Sequence, residues 1–91
     1  MSAKLVINQI SWKTMGKQRI GMSDFGLQIS KSIRAGMGIG RMSGRALGLQ
    51  INRSYSYVQA RVNDEKEWAL SDIERICDAW DITPNQLINQ Y

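Results

Sequence analysis

Apolar residues at a spacing of four predict that the chain becomes helical from about residue 24. The first stripe consists of Phe25, Ile29, Ile33 and Met37. This spacing places side chains on one face of an α-helix, and either Ser23 or Asp24 can cap its start. Glycine weakens a helix interior by about 1 kcal/mol. Because glycines occupy positions 36, 38 and 40, we expect the first helix to fray from about Gly36.

Two short helices separated by a tight turn are predicted next. Ser43 can cap a helix that spans residues 44–50, and Ser54 can cap a second one that ends at residue 62 or 63. Asn52 lies between them and tolerates the left-handed backbone conformation that a tight turn requires. Val58 begins the inner face of the second helix, and another valine follows four residues later.

Two further helices with strong local start signals complete the predicted domain. Ser71, followed three residues later by Glu74, has the spacing of a capping box. Thr83 and Gln86 repeat this pattern, with Pro84 at the first helical position, where proline is favoured. The apolar stripe of the fourth helix consists of Leu70, Ile73, Ile76, Cys77 and Trp80. Five helices with short links indicate an all-α domain.

The first 22 residues follow a different pattern. A strand from about Lys4 to Trp12 could pair with a second one from Lys17 to Met22, because β-branched and aromatic residues favour strands. An isolated hairpin is marginal in water, so it would need to pack on the domain or on a partner. A mobile basic tail is the alternative. The chain is therefore predicted to consist of an N-terminal extension, 1–22, and a helical domain, 23–91.

Charge is distributed unevenly along the chain. Residues 1–63 carry ten basic side chains and one acidic one, a net charge of +9. Residues 64–91 carry two basic and seven acidic side chains, a net charge of −5, so that the whole chain has +4. A polyanion would be attracted to the first part and repelled by the second.

The composition argues against an enzyme, a metal site and a cofactor site. Histidine is absent, which removes the commonest general base and metal ligand, and the single Cys77 allows neither a zinc site nor a disulfide. Glycines 36, 38 and 40 lack the preceding strand and the following lysine of a phosphate-binding loop. Polar residues interrupt the apolar run that a signal peptide would need, and no apolar run approaches the length that spans a membrane. We therefore expect a cytoplasmic protein with no cofactor and no membrane partner.

Four stretches of the helical region follow the pattern of a known protein family. The stretches are ISKSIRA at 29–35, MS at 42–43, RSYSYVQARVN at 53–63 and LSDIERICDAWDITPNQL at 70–87. Together with the spacing of the five helices, they resemble the Cro/C1-type helix-turn-helix family of phage repressors and xenobiotic-response-element regulators, over about two-thirds of the chain. Gly48 stands where this family usually has alanine, and Asn52 replaces its usual turn glycine.

The resemblance implies a small repressor, of phage or bacterial type, that binds double-stranded DNA. In this family the third helix enters the major groove while the second braces against the DNA backbone. With Val58 turned inward, Ser56, Gln59, Ala60 and Asn63 point toward the groove. The two residues before them, Ser54 and Tyr55, lie at the N-terminal end, which this family usually inserts first. We predict base contacts for Ser54, Tyr55, Ser56, Gln59, Ala60 and Asn63. The amides of Gln59 and Asn63 can form paired hydrogen bonds with adenine.

The flanking cations and one tyrosine are the predicted phosphate contacts. They are Arg41, Arg45, Arg53, Tyr57 and Arg61. For Tyr57, packing of the ring against the second helix is an equal alternative. For Arg61, the alternative is that its aliphatic stem covers the core while its guanidinium reaches water.

A protein-interaction module of the same fold is the alternative function. An antitoxin or an anti-repressor would hold a protein partner through residues 1–22 or through the acidic section after residue 63. Members of the resembled family commonly dimerise, so a homodimer is a further expectation. An architectural DNA-binding role, as in an excision factor, is the third alternative.

Overall fold

The computed structural model describes residues 22–90, with side chains up to residue 89, and this part of the chain forms five α-helices. They are α1 (Asp24–Ile39), α2 (Gly44–Ile51), α3 (Tyr55–Val62), α4 (Leu70–Trp80) and α5 (Pro84–Gln90). The all-α prediction is confirmed for these residues. The strands predicted at 4–12 and 17–22 lie outside the described residues, except for Met22, which is buried and belongs to neither a helix nor a strand.

One apolar core joins all five helices. Its buried side chains are Ile29, Ile33, Met37, Leu47, Ile51, Val58, Trp68, Ile76, Cys77 and Leu87. Most members of the predicted stripes are therefore core residues. Phe25 and Leu70 are not, because they lie in the first turns of α1 and α4, beyond the core, and are 56% and 84% exposed.

The first helix continues three residues past the predicted fraying point, to Ile39. Gly36 faces the indole ring of Trp80 in α4 so closely that a Cβ atom at this position would overlap the ring. Burial under the indole therefore compensates for the low helix propensity of glycine. The end of α1 is then closed by a hydrogen bond from the Met42 amide to the Met37 carbonyl, at 2.8 Å.

The fourth helix begins earlier than predicted, and the Ser71–Glu74 capping box is wrong. The helix starts at Leu70, and Ala69 is its N-cap residue. The side chain of Asp72 accepts a hydrogen bond from the Ala69 amide at 3.2 Å. Asp72, and not the predicted Glu74, is therefore the acidic residue that caps the first turn of α4.

The other predicted helix caps are confirmed. The hydroxyl oxygens of Ser43 and Ser54 accept hydrogen bonds from the Ala46 amide at 3.1 Å and the Tyr57 amide at 3.2 Å. A full capping box starts α5. The Gln86 amide donates to the Thr83 hydroxyl at 3.1 Å, and the Thr83 amide donates to the Gln86 side chain at 2.8 Å.

A tight turn joins α2 to α3 and depends on two small or permissive residues. Asn52 has the predicted left-handed conformation, with φ 60° and ψ 49°. The Arg53 amide then donates to the Gly48 carbonyl at 2.8 Å. A Cβ atom at Gly48 would lie only 2.7 Å from the Arg53 carbonyl oxygen. Glycine at position 48 therefore permits the close approach of the turn to α2.

The C-terminal end of α3 is held by α1. The Arg34 guanidinium donates hydrogen bonds to the Val62 carbonyl and to the Asp64 carboxylate, both at 2.9 Å. The buried Ser30 hydroxyl donates to the Arg61 carbonyl at 3.1 Å. These bonds satisfy carbonyl groups that the last turn of a helix leaves without intrahelical partners. They fix one end of α3 and leave its N-terminal end at the surface.

Candidate nucleic-acid interface

The N-terminal ends of α2 and α3 lie side by side at the surface. A Cβ atom on Gly44, the first residue of α2, would lie 3.1 Å from the side-chain oxygen of Gln59 and 3.4 Å from the ring of Tyr55, both in α3. The first turns of both helices lack acidic residues. Since a helix N-terminus carries a partial positive charge, two such ends together favour an anion.

A stacked arginine and tyrosine connect the two helix ends. The guanidinium carbon of Arg45 in α2 lies 4.4 Å from the centre of the Tyr55 ring in α3. Tyr55 is 43% exposed, and Arg45 is exposed as well. Among the described residues, no acidic side chain forms an ion pair with Arg45 or with Arg41, which precedes α2. Both charges are therefore available to a ligand.

Most of the predicted base-contact residues lie together on this surface. Ser54, Tyr55 and Ser56 form its N-terminal edge, and Gln59 lies one turn further beside α2. Ala60 is half-buried on the outward side of the helix. We use the term α2–α3 surface for the following residues: Arg41, Ser43, Gly44, Arg45, Ser54, Tyr55, Ser56, Gln59 and Ala60.

Asn63 is exposed but does not join this group. It is the C-cap residue of α3, and its amide donates to the Gln59 carbonyl at 3.0 Å. At a rise of 1.5 Å per residue, Asn63 lies roughly 13 Å along the helix axis from Ser54. A helix that enters a groove with its N-terminus would present Asn63 only at its far end.

Three of the predicted phosphate contacts lie on the opposite flank of α3, against α4. The Nε atom of Arg53 donates a hydrogen bond to one carboxylate oxygen of Asp72 at 2.9 Å, and the Tyr57 hydroxyl donates to the other. A phenol has only one hydroxyl proton to donate, and phosphate oxygens are acceptors. The structure therefore favours packing over phosphate binding for Tyr57, with its hydroxyl bound to Asp72 in α4.

The guanidinium of Arg61 also lies over Tyr57. Its central carbon is 3.5 Å from the ring centre, and its Nη1 atom donates to the Tyr57 carbonyl at 3.2 Å. The Nε atom of Arg61 is buried without a hydrogen-bond partner among the described residues. The Arg53 guanidinium lies over the same ring at 4.4 Å. We call these four residues the Asp72 cluster: Arg53, Tyr57, Arg61 and Asp72.

Hydrogen bonds within the Asp72 cluster shift the pKa values of Asp72, Arg53 and Tyr57. Burial raises the pKa of the Asp72 carboxyl, but hydrogen bonds from Tyr57, Arg53 and the Ala69 amide together outweigh it, so the net pKa is lowered. The hydrogen bond to Asp72 raises the pKa of Arg53. Burial, and then the bond to Asp72, raise the pKa of Tyr57. The cluster therefore holds one negative and two positive charges.

Asp72 was not among the predicted site residues, although one signal marked it. Asp72 lies four residues before the buried Ile76, and so falls on the apolar face of α4. A carboxylate on an apolar stripe is rarely buried without a partner. The two donors, Arg53 and Tyr57, lie on or beside a different helix, so that only the folded structure identifies them.

No protein-family model, no curated protein and no solved structure matches this chain. Among the residues that the structure describes, no helix is long and apolar enough to cross a membrane. Within the same residues, acidic, histidine and cysteine side chains form no group of three that could hold a metal ion. The geometry of the α2–α3 surface is therefore the observation from which a function has to be inferred.

Proposed function

We propose that this protein binds double-stranded DNA in a sequence-specific manner, with α2, the turn at Asn52 and α3 acting as a helix-turn-helix. The observation that carries the proposal is that the N-terminal ends of α2 and α3 lie next to each other at the surface. There, Arg45 stacks on Tyr55, and Gln59 lies beside Gly44. An anionic backbone and base edges are the ligand chemistry that this combination of cations, helix ends and neutral hydrogen-bonding groups suits best.

Charge along the chain supports this ligand. Residues 25–63 contain six cationic side chains and no acidic one. The acidic residues of the domain follow this segment, apart from Asp24. DNA would therefore be attracted to the side formed by α2 and α3, and the acidic later section would disfavour the reverse orientation.

The two kinds of residue on the α2–α3 surface have separate roles in this proposal. Tyr55, Ser56 and Gln59 contact base edges, because they are neutral, lie within the first five residues of α3 and belong to the α2–α3 surface. Arg41 and Arg45 contact phosphates and supply affinity without sequence preference. Because the base-reading group carries no charge of its own, affinity depends on the arginines and selectivity depends on α3.

A phage-type or bacterial repressor is the biological role we propose, with a Cro/C1-like arrangement of the five helices. Support comes from the element order, from the close contact at Gly48 and from the left-handed turn residue Asn52. Occupation of an operator would exclude polymerase. If the protein acts as a homodimer, it would bind two half-sites about one helical turn of DNA apart.

Gln59→Ala tests the base-reading role. Duplexes that the wild-type protein retains from a random pool provide the preferred sequence. We expect Gln59→Ala to weaken binding to that sequence by about 1–3 kcal/mol, while binding to unselected DNA stays nearly unchanged. The matched control is Gln28→Ala, which removes an exposed amide from α1. Equal loss on selected and unselected duplexes would contradict base reading by Gln59.

Arg45→Ala tests the phosphate contact. Affinity for all duplexes should fall, and the slope of log K against log salt should become less negative by about 1, because one counterion-releasing contact is lost. Lys66→Ala removes an equal charge from an exposed position between α3 and α4 and serves as the control. An unchanged slope for Arg45→Ala, or an equal change for Lys66→Ala, would contradict this assignment.

The alternative function, a protein-interaction module, is favoured by a second surface. A shallow groove runs between the first turns of α1 and α4, and its apolar lining includes Phe25, Ile29, Leu70 and Ile73. Phe25 and Leu70 are largely exposed there. If neither selected nor random duplex binds in a salt-dependent manner, this surface becomes the preferred site of function.

A further inference from the structure

We infer that Asp72 is a positioning residue for DNA binding, which acts by orienting the Arg53 guanidinium toward a backbone phosphate. The inference rests on the proposed function and extends it to a residue that cannot touch DNA, because the Asp72 side chain is fully buried. Arg53 would be the contacting group, and Asp72 would act only through it.

Arg53 is held at three points next to the N-terminal end of α3. Its amide donates to the Gly48 carbonyl at 2.8 Å, and its Nε atom donates to Asp72 at 2.9 Å. Its guanidinium also lies over the ring of Tyr57. These contacts fix the backbone, the direction of the side chain and the plane of the charged group. Arg53 immediately precedes Ser54, the cap of α3, so that a phosphate at this helix end would lie within its reach.

The hydrogen bond to Asp72 leaves most donors of Arg53 unused. A guanidinium has five N–H donors, of which Nε supplies one. Within the described residues, the two terminal amino groups of Arg53 form no hydrogen bond, and the side chain is 31% exposed. The terminal amino groups suit paired hydrogen bonds to a phosphate. Asp72 therefore restricts the orientation of the Arg53 side chain and leaves its terminal amino groups free to bind a phosphate.

The charge of the Asp72 cluster remains positive in spite of the buried carboxylate. Asp72 contributes one negative charge, whereas Arg53 and Arg61 contribute two positive charges over the same tyrosine ring. The buried Nε atom of Arg61 has no partner within residues 22–89. An anion next to Arg53 would thus meet a net cation, and the Asp72 ion pair would orient one arginine rather than cancel the local charge.

Asp72→Asn distinguishes orientation from simple charge. This variant removes a negative charge, so that electrostatics alone predicts tighter binding to DNA. Loss of orientation predicts the opposite, because asparagine offers one acceptor oxygen, without charge, to the two donors Arg53 and Tyr57, and Arg53 would then have to be ordered when the complex forms. We expect Asp72→Asn to weaken binding about tenfold, within the range found for coupled residues of one network. Asp78→Asn, an exposed aspartate on the same helix, should bind as tightly as the wild-type protein or slightly more tightly.

A double-mutant cycle with Arg53→Met tests whether Asp72 acts through Arg53. Binding of a labelled duplex of mixed sequence is measured by fluorescence anisotropy for the full-length wild-type chain, both single variants and the double variant. We expect Asp72→Asn to weaken binding in the wild-type background and to have no further effect beside Arg53→Met. Equal losses in both backgrounds, or no loss in either, would overturn the inference while the proposed function stands. Absence of salt-dependent duplex binding by the wild-type protein would overturn both.

A measurement on the wild-type protein covers the case in which a variant does not fold. The Nε–H signal of Arg53 is followed by NMR in the full-length chain. We expect it to exchange slowly with solvent before duplex is added, because Asp72 accepts its hydrogen bond, and to shift on addition of duplex while staying protected. A signal that exchanges rapidly, or that duplex does not shift, would overturn the positioning role.

Discussion

Replacing Asp72 by alanine is expected to lower the free energy of unfolding by about 3–5 kcal/mol, the range for the loss of one partner of a buried ion pair. The carboxylate is fully buried and accepts hydrogen bonds from Arg53, Tyr57 and the Ala69 amide. Alanine leaves a guanidinium and a phenol without their acceptor, and it removes the cap of the first turn of α4. Because small domains are stable by only about 5–15 kcal/mol, this loss would be a large fraction of the total.

Urea denaturation followed by circular dichroism measures this effect directly. The matched control is Asp78→Ala, which removes an exposed aspartate from the same helix and should change the free energy of unfolding by less than about 0.5 kcal/mol. A loss of less than about 1 kcal/mol for Asp72→Ala would mean that the cluster does not connect α3 to α4 as described.

The pH dependence of stability should reflect the same carboxylate. Its pKa in the folded protein is lowered, so that its stabilising contribution is complete above the unfolded value of about 3.9 and is lost as the pH falls through the folded pKa. The difference in urea midpoint between wild type and Asp72→Asn should therefore be constant near neutral pH and shrink below about pH 4. A difference that stays constant down to the acid transition would show that Asp72 does not titrate in this way.

Gly48→Val is expected to destabilise the protein by about 2–3 kcal/mol, as overpacking of a close contact does. A Cβ atom at this position would lie 2.7 Å from the Arg53 carbonyl oxygen and 3.5 Å from a methyl group of Val58. The oxygen belongs to the backbone of the turn before α3, so that relief requires α3 to move away from α2. Affinity for duplex DNA should fall together with stability, because the two helix ends would separate.

Gly38→Val provides the control for this substitution. Gly38 also lies in a helix, but no atom lies within 4 Å of a Cβ atom placed there. Valine has a slightly higher helix propensity than glycine, so the free energy of unfolding should change by less than about 0.5 kcal/mol. Thermal or urea melts of the two variants compare the same chemical change with and without the close contact. Equal effects would contradict the special role of Gly48.

The sequence was sufficient to predict the helices because their signals are local. Serine caps and apolar residues four positions apart identified α1, α2 and α3. The capping box of Thr83 and Gln86 identified α5. The two errors have a common cause. Gly36 stays helical because Trp80 covers it, and α4 starts at Leu70 with its first turn capped by Asp72, which Arg53 and Tyr57 also bind. Both depend on residues that are distant in the sequence.

The candidate site was predictable in part for the same reason. Helical geometry predicted that Ser56, Gln59, Ala60 and Asn63 point away from Val58; in the structure Ser56 and Asn63 are exposed, and Gln59 and Ala60 are half-buried. It could not show that Arg45 would stack on Tyr55, since this depends on how two helices pack. Nor could it show that Arg53 would donate to a carboxylate in α4. The spacing of apolar residues predicts which face of a single helix is buried. The residues that its side chains contact on another helix depend on how the helices pack.

The most direct test of DNA recognition by the α2–α3 surface is an NMR titration of the isotope-labelled full-length chain with a duplex selected from a random pool. We expect the largest amide shifts in two short segments, residues 41–46 and 53–60, at the N-terminal ends of α2 and α3. Amides of the exposed side of α4, such as Glu74 and Asp78, should move little. Largest shifts in α4 and α5, or no shifts with any duplex, would contradict DNA recognition by this surface.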